Sequence, residues 1–297
     1  MSTEQKPHCG VVAVIGAPNA GKSTLVNQLV GQKVAITSAK AQTTRARLMG
    51  IALHDQVQMI LVDTPGIFEP RRRLDRAMVS AAWEGAVAAD AVLLVVDPVK
   101  QRRHELMPLV ELLKDRKERK ILVLNKVDVS KKEPLLELAQ ELTQAADFAE
   151  VFFVSALTGD GVAEMKTALA QTMPEGPWHY PEDQVSDASE RLLATEVTRE
   201  QVFAQLHEEL PYDTAVRPES YEVREDGSVE IHQQVVIARS SQMPIVLGKH
   251  GSRIKAIGEA SRKELAGILG VPVQLYIHVK VDEKWAENRE IFEEIGL

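Results

Sequence analysis

Residues Gly16 to Ser23, reading Gly-Ala-Pro-Asn-Ala-Gly-Lys-Ser, fit the spacing G-x-x-x-x-G-K-[ST] and directly follow the apolar run Val11 to Ile15. Glycines let the backbone turn so that successive N–H groups face one anion, and a helix starting at the loop adds the positive end of its dipole. Lys22 is placed to neutralise the outer oxygens of a triphosphate, and the Ser23 hydroxyl to ligate Mg²⁺. Asn19, Ala20, Gly21, Lys22, Ser23 and Thr24 are therefore the candidate phosphate-binding residues.

Asn125-Lys126-Val127-Asp128 follows another apolar run, Ile121 to Leu124, which puts it at the carboxyl end of a buried strand, where open α/β sheets bind ligands. A carboxylate at Asp128 can accept from both N1–H and the exocyclic amine of guanine. Adenine offers neither donor in that geometry and would leave the carboxylate unpaired, so the site should select GTP and GDP. Asn125, Lys126 and Asp128 are the candidate base-reading residues. Ser155 and Ala156, after the run Val151 to Val154, are expected to close over the guanine through backbone N–H groups. Asp63-Thr64-Pro65-Gly66 ends a further run, Val57 to Val62. There Asp63 is expected in the Mg²⁺ shell and the Gly66 N–H at the γ-phosphate. A second hydroxyl ligand is expected from the polar segment 38–47, where spacing does not choose between Thr43 and Thr44. The candidates for hydrolysis are thus Lys22, Asp63, Gly66 and Thr44, and those for the metal are Ser23, Thr43, Thr44 and Asp63.

These residues need a scaffold that brings several strand ends together. Five apolar runs, near residues 11–15, 57–62, 91–96, 121–124 and 151–154, alternate with helix-period segments at 74–88, 103–115, 133–145 and 161–172. A sixth strand near 48–54 is joined to 57–62 by the polar turn His54 to Gln56, so that pair should be antiparallel. The expected fold class is α/β, a six-stranded doubly wound sheet with helices on both faces, over residues 1–172. A chain of 297 residues, 44% hydrophobic and 26% charged, has room for a second domain. The single cysteine, Cys9, excludes an internal disulfide and a multi-cysteine zinc site, which suits a reducing cytoplasm. Met1 to Lys6 lack a secretory pattern and no apolar run approaches the ~18 residues needed to span a bilayer. The expected location is cytoplasmic, with at most peripheral contact with the cytoplasmic membrane.

Three prolines, a glycine, Trp178 and Tyr180 between Met173 and Ser186 fit no period and mark a linker, either a tether or a packed strap. From 187 to 297 the pattern predicts helix (187–209), strands (219–226, 229–238) turning at Asp226-Gly227, a short helix (242–247), Gly248-Lys249-His250-Gly251, helix (252–269), strand (272–281) and a final helix (283–294). A GxxG between two helices in that order resembles a type II KH domain, an RNA-binding module. The second GxxG, Gly267 to Gly270, has an apolar middle and reads as a helix end. Residues 181–297 hold 13 Lys and Arg against 22 Asp and Glu, making this the acidic half of a chain of net charge −8. Residues 239–263 reverse the sign, with six basic residues against Glu259 alone. A basic stripe on an acidic body favours a defined RNA register over indiscriminate coating. Gly248, Lys249, His250, Gly251, Arg253 and Lys255 are the candidate RNA-binding residues.

The motifs taken in order resemble the Era family of bacterial GTPases over nearly the whole chain. Lys40-Ala41-Gln42-Thr43-Thr44-Arg45 is the most family-specific of them. The resemblance implies a Ras-like P-loop GTPase domain, a KH domain, binding to the 3′ end of 16S ribosomal RNA, a role in 30S subunit assembly, and a monomer. Ile67 stands where Ras-like enzymes place the glutamine that orients water, so slow intrinsic hydrolysis is expected. Similar GTPases pair a hydrophobic residue there with an asparagine in the phosphate loop that helps bind K⁺, which makes K⁺ a further candidate ion at Asn19. Arg71, Arg72 and Arg73 read as a solvated charge run in a switch loop.

Two functions of different class fit these residues. One is a GTP-driven RNA-binding switch in which segments 38–47 and 66–76 are ordered by γ-phosphate and Mg²⁺. The other is a signalling GTPase whose partner is a protein or a membrane surface and whose KH-like region is a docking scaffold.

Overall fold

A computed structural model describes residues 6–38, 48–64, 89–101, 103–207, 210–288 and 291. Contacts divide the chain into two units after Asp187, with residues 36–38 grouping with the second.

In the first unit the element order is β1 (His8–Ile15), α1 (Lys22–Val30), β2 (Leu48–His54), β3 (Val57–Asp63), β4 (Ala91–Val96), α2 (Arg103–Lys114), β5 (Arg119–Leu124), α3 (Lys132–Ala145), β6 (Glu150–Phe153) and α4 (Val162–Ala170). One six-stranded sheet results, in the order β2-β3-β1-β4-β5-β6, with β2 antiparallel to β3 and the other pairs parallel. Alternation along each strand decides which face a residue serves. Val12, Val14, Leu93 and Val95 pack with Leu25, Leu29, Met165 and Leu169 of α1 and α4 on one face. Ala13, Ile15, Leu94 and Val96 pack with Leu106, Val110, Leu135 and Leu142 of α2 and α3 on the other. With both faces covered, the strands can be uninterrupted apolar runs, which is why they are readable in the sequence. The helix expected at 74–88 lies outside the described residues.

The segment 173–186 is a packed strap of this unit. Cys9 N donates to Pro174 O at 3.0 Å, Gly176 N to Pro7 O at 3.0 Å, and His8 Nδ1 lies 2.8 Å from Met173 O. Further on, Trp178 Nε1 donates to Gln56 O at 3.2 Å, Ile51 N to Val185 O at 2.8 Å, and Ser186 Oγ to Met49 O at 2.9 Å. Gln58, fully buried in β3, is the central anchor. Its Oε1 accepts from His179 N at 2.9 Å and Tyr180 N at 3.0 Å, and its Nε2 donates to Tyr180 O at 2.9 Å. Replacing Gln58 by Leu should strand three backbone groups of the strap and lower the stability of this unit by about 2–4 kcal/mol. Urea unfolding followed at Trp178 and by far-UV dichroism should show the strap signal moving to lower denaturant before the helical signal. An unchanged midpoint would mean that the strap holds without this anchor.

The second unit contains α5 (Glu190–Gln205), β7 (Thr214–Val223), β8 (Val229–Ile237), α6 (Met243–Leu247), α7 (Ser252–Leu269) and β9 (Val273–Val281). Its sheet runs β7-β8-β9, the first pair antiparallel and the second parallel. Val202, Val216, Val235, Ile237, Val246 and Ile257 form one core cluster, and Ala194, Val197, Ile231, Leu265 and Val273 a second. Strand β7 begins at Thr214, five residues before the sequence expectation. Its ladder shifts register between Pro218 and Ser220, and that irregularity hides the strand's continuity. Helix α5 is shorter than expected at both ends: the Ser189 side chain caps its start by accepting from Leu192 N at 3.2 Å, and Leu206 leaves it in an extended conformation. Of the expected final helix, the described residues show a 3₁₀ turn at Trp285–Glu287 and helical Ile291, and the remaining positions from 289 onward lie outside the described residues. Gly270, in the second GxxG, is the left-handed cap of α7, as its apolar middle implied.

Candidate functional site

Four strand ends meet at one rim of the first sheet: Ile15, Asp63, Val96 with Asp97, and Leu124 with Asn125. Between them the loop 16–21 turns into α1, and Lys22, the first helical residue, folds its ammonium back into it. Lys22 Nζ donates to Gly16 O at 3.2 Å and to Ala17 O at 3.1 Å. The side chain is buried, and desolvation pushes its pKa down to about 8, with the Asp63 charge opposing that shift. Ser23 Oγ donates to Asp63 Oδ2 at 2.6 Å, so the hydroxyl and carboxylate expected to hold a metal are brought together. Thr24 is half-buried on the next position of the helix. Thr64, also buried, ties the end of β3 to β1 by donating to Val14 O at 2.8 Å.

Asn125 locks three loops to one another. Its Nδ2 donates to Ala20 O at 2.8 Å, and its Oδ1 accepts from Lys126 N at 2.8 Å and Ala156 N at 2.9 Å. The approach to the phosphate loop is so close that a Cβ at Gly21 would lie 2.2 Å from Asn125 Nδ2, and Gly21 has φ +97°. Only glycine satisfies both conditions. Lys126, itself left-handed at φ 64°, stretches the other way: its Nζ donates to Asn19 O at 2.8 Å and to Asp97 Oδ2 at 2.6 Å. Asp128 follows, exposed at the rim. Ser155 and Ala156 sit buried beside Asn125, but their N–H groups already have acceptors, Asp160 O at 2.9 Å and Asn125 Oδ1. A base carbonyl placed there would share those donors. Thr43, Thr44, Gly66, Ile67 and Arg71 to Arg73 lie outside the described residues.

In the second unit Gly248 has φ +73° and a Cβ there would meet Arg253 at 2.8 Å, so the start of the GxxG turn also requires glycine. Lys249 and His250 are exposed at its tip, and Gly251 caps α7 in the left-handed conformation. A cleft of about 370 Å³ lies between α7 and β9, lined by Lys255, Gly258, Arg262, Leu275, Tyr276 and His278. Lys255 and Arg262 share a helix face because seven residues make close to two turns. Arg253 does not join them. It is about 200° away around the helix axis and its Nη1 donates to Ile245 O at 3.2 Å, so the basic stripe read as one surface is divided between two.

Two family models match the chain: one described as a 50S ribosome-binding GTPase over residues 11–126, and one described as a KH domain over residues 209–286. GTPase Era of Erythrobacter litoralis (strain HTCC2594) is 80% identical over 299 residues, covering 99% of this chain and 98% of the relative. The chain belongs to the GTPase Era family. GTPase Era of Bradyrhizobium sp. (strain ORS 278) is 52% identical, covering 97% of this chain and 94% of the relative. Among solved structures, a variant of Aquifex aeolicus Era bound to GDP.AlF4⁻ superposes with a TM-score of 0.92 at 35% identity, covering 97% of this chain and 99% of that one. Era in complex with MgGDPNP and nucleotides 1506–1542 of 16S ribosomal RNA superposes equally, at 34% identity, covering 98% of this chain and 99% of that one. The Ras-like fold with its six-stranded sheet and the KH unit are those of the Era family.

One part of this Era-family site escaped the sequence reading. Asp97, 1% exposed, fixes the Lys126 ammonium from the end of β4 and accepts from Val99 N at 3.0 Å. Its only signal was an acidic residue directly after an apolar run, the position that Asp63 also occupies.

Proposed function

We propose that this chain is a GTP-hydrolysing switch that binds the 3′ end of 16S ribosomal RNA through its KH unit and acts in the cytoplasm in 30S subunit assembly. The observation that carries the reading is the match along nearly the whole chain to an Era solved with MgGDPNP and that RNA together. The local geometry supports it. Loop 16–21 with Lys22 would receive the phosphates, and Asp128 would accept from N1–H and the amine of guanine. Asn125 would hold both loops in register, and the α7–β9 cleft beside the GxxG would take unstacked bases. The paired oxygens of Ser23 and Asp63 suit a hard cation. Mg²⁺ would be held there and would supply neutralisation of the β- and γ-phosphate charge. The K⁺ reading rests on Asn19, exposed at φ 63° in the phosphate loop, and equal turnover in K⁺ and Na⁺ buffers would remove it. The signalling alternative, with a protein or membrane partner, is not favoured by these matches. Among the described residues no helix is long and apolar enough to cross a membrane.

Anisotropy of labelled RNA corresponding to nucleotides 1506–1542, with GDP or GDPNP, tests the proposal. Tighter binding with GDPNP, weakened at least tenfold by Gly248→Ala with guanine-nucleotide affinity intact, is the expected result. Equal or absent binding in both states would overturn it.

Lys22 gives the nucleotide site a pH signature. Its ammonium titrates near pH 8 within the folded chain, against 10.5 as the ordinary value. Below pH 8 both folded and unfolded chains carry the proton, and the folded state bears the net cost of desolvation less the attraction of Asp63, roughly 3 kcal/mol. As pH rises from 8 to 10.5 the unfolded chain binds more protons than the folded one, so this contribution to stability improves. A bound triphosphate favours the charged form, so binding takes up a proton above pH 8. Affinity for GDPNP should therefore fall by up to about tenfold from about pH 8 to 9, below the range in which guanine N1–H itself ionises. A flat calorimetric profile, or the same decline in Lys22→Arg, would contradict the assignment.

A further inference from the structure

A second cavity opens on the other side of the first turn of α7 from the α7–β9 cleft. It measures about 430 Å³ and is lined by His207, Asp213, Arg239, Gln242, Ile245 and Arg253. Nothing in the nucleotide chemistry or in the cleft uses it, yet it borders the same GxxG turn, because Arg253 packs against Gly248 and reaches back to Ile245 O.

Its walls are fixed before any ligand arrives. Gln242, buried, accepts from Arg239 N through Oε1 at 2.9 Å while Gln242 N donates to Arg239 O at 3.0 Å, which locks the backbone carrying Arg239. The Arg239 side chain is 72% exposed and its guanidinium sits 3.8 Å from Asp213 Oδ2, beyond hydrogen-bond length. Asp213 is held from behind, its backbone carbonyl accepting from the buried Trp285 indole at 3.2 Å, and its Oδ2 lies 3.5 Å from Gln242 Nε2. Ile245 is half exposed and offers an apolar wall. The cavity thus presents two guanidinium forks, one imidazole and one carboxylate beside an aliphatic face.

That set matches one nucleotide of a single strand. Guanidinium forks suit phosphate oxygens, and two arginines against one carboxylate leave a positive balance for a phosphodiester. An aliphatic face packs against a base, and a carboxylate accepts from an exocyclic amine, which cytosine, adenine and guanine have and uracil lacks. The volume lies within the range of small-ligand sites.

We propose that this cavity is a second RNA subsite, which takes one nucleotide of the strand beyond those in the α7–β9 cleft. The phosphate lies between Arg239 and Arg253, the base lies on Ile245, and its amine donates to Asp213. The subsite rests on the RNA-binding reading above and extends the strand's path around the GxxG turn rather than along the cleft alone.

The test uses the full chain with Mg²⁺ and GDPNP and the labelled RNA of nucleotides 1506–1542. Arg239→Ala and Ile245→Ser should each weaken binding about five- to tenfold, Arg239→Ala should reduce the salt dependence by about one ion, and Lys255→Ala should weaken binding independently. Asp213→Asn should narrow the preference for oligo(C) over oligo(U), with guanine-nucleotide affinity and melting temperature as folding controls. Loss with Lys255→Ala but not with Arg239→Ala or Ile245→Ser overturns the subsite and leaves the RNA reading standing. No loss with any variant overturns both. If Arg239→Ala and Ile245→Ser weaken the binding of CMP but not that of the RNA, the cavity belongs to a free mononucleotide and the subsite is wrong.

Discussion

Replacing Asp128 by Asn should lower the affinity for GTP and GDP by about 10²- to 10⁴-fold and leave the fold unchanged. The carboxylate is exposed at the end of the β5 loop, so nothing in the chain's own packing depends on it. Guanine, by contrast, would lose a charge-assisted acceptor for N1–H and for its amine, each worth about 1.5–3 kcal/mol. The amide in its place can turn one NH₂ toward the base, which suits xanthine, whose 2-carbonyl is an acceptor where guanine has a donor. Competition of GDP, IDP and XDP against a fluorescent guanine nucleotide checks both halves. Wild-type protein should prefer GDP over IDP, which lacks the amine, and the variant should bind XDP more tightly than GDP. Retained GDP affinity in the variant would mean that the base is read elsewhere, and the functional reading would lose its nucleotide.

Asn125→Ala should be the most damaging single substitution that leaves the backbone conformation of the loop allowed. It removes the donor to Ala20 O and leaves the N–H groups of Lys126 and Ala156 without their acceptor, around a residue that is itself only 2% exposed. Each stranded buried group costs about 1–3 kcal/mol, so a loss of about 3–6 kcal/mol in the first unit is expected. For a unit of this size that is a melting shift on the order of 10 °C. Guanine-nucleotide affinity should fall by at least about 10²-fold, since phosphate loop and base loop are no longer tied together. A neighbouring change provides the contrast. Ser130→Ala removes one half-buried hydrogen bond of 2.7 Å to Lys126 O in the same loop and should cost about 1 kcal/mol with little effect on binding. Similar losses in the two variants would show that Asn125 is only one contact among many.

The sequence exposed the first unit well because its strands are buried on both faces and therefore written as continuous apolar runs. The same feature exposed the strand-end motifs, since a polar residue right after such a run stands at the sheet rim. Asn125 was legible as part of the base loop. Its bonds to Ala20 and Ala156 were not, because they span 105 and 31 residues and depend on loop curvature. Asp97 was missed for the same reason, its partner lying 29 residues away. The second unit was less legible. The pattern of strand β7 is masked by Pro218 and its register shift, and the side-chain cap at Ser189 sets a later start for α5. Arg253 and Lys255 look adjacent on paper, whereas two helical residues of that spacing point to nearly opposite sides.

The strap along β2 bears on how this chain can be cut. Residues 185–187 lie along the outermost strand of the sheet, with Ile51 N donating to Val185 O and Met49 N to Asp187 Oδ1 at 3.1 Å. A fragment ending at Thr172 would strip that cover and leave β2 with a row of unpaired amides and carbonyls, an edge that templates sheet-to-sheet association between copies. A fragment ending just past Asp187 keeps the edge occupied and should stay monodisperse at concentrations where the shorter piece precipitates.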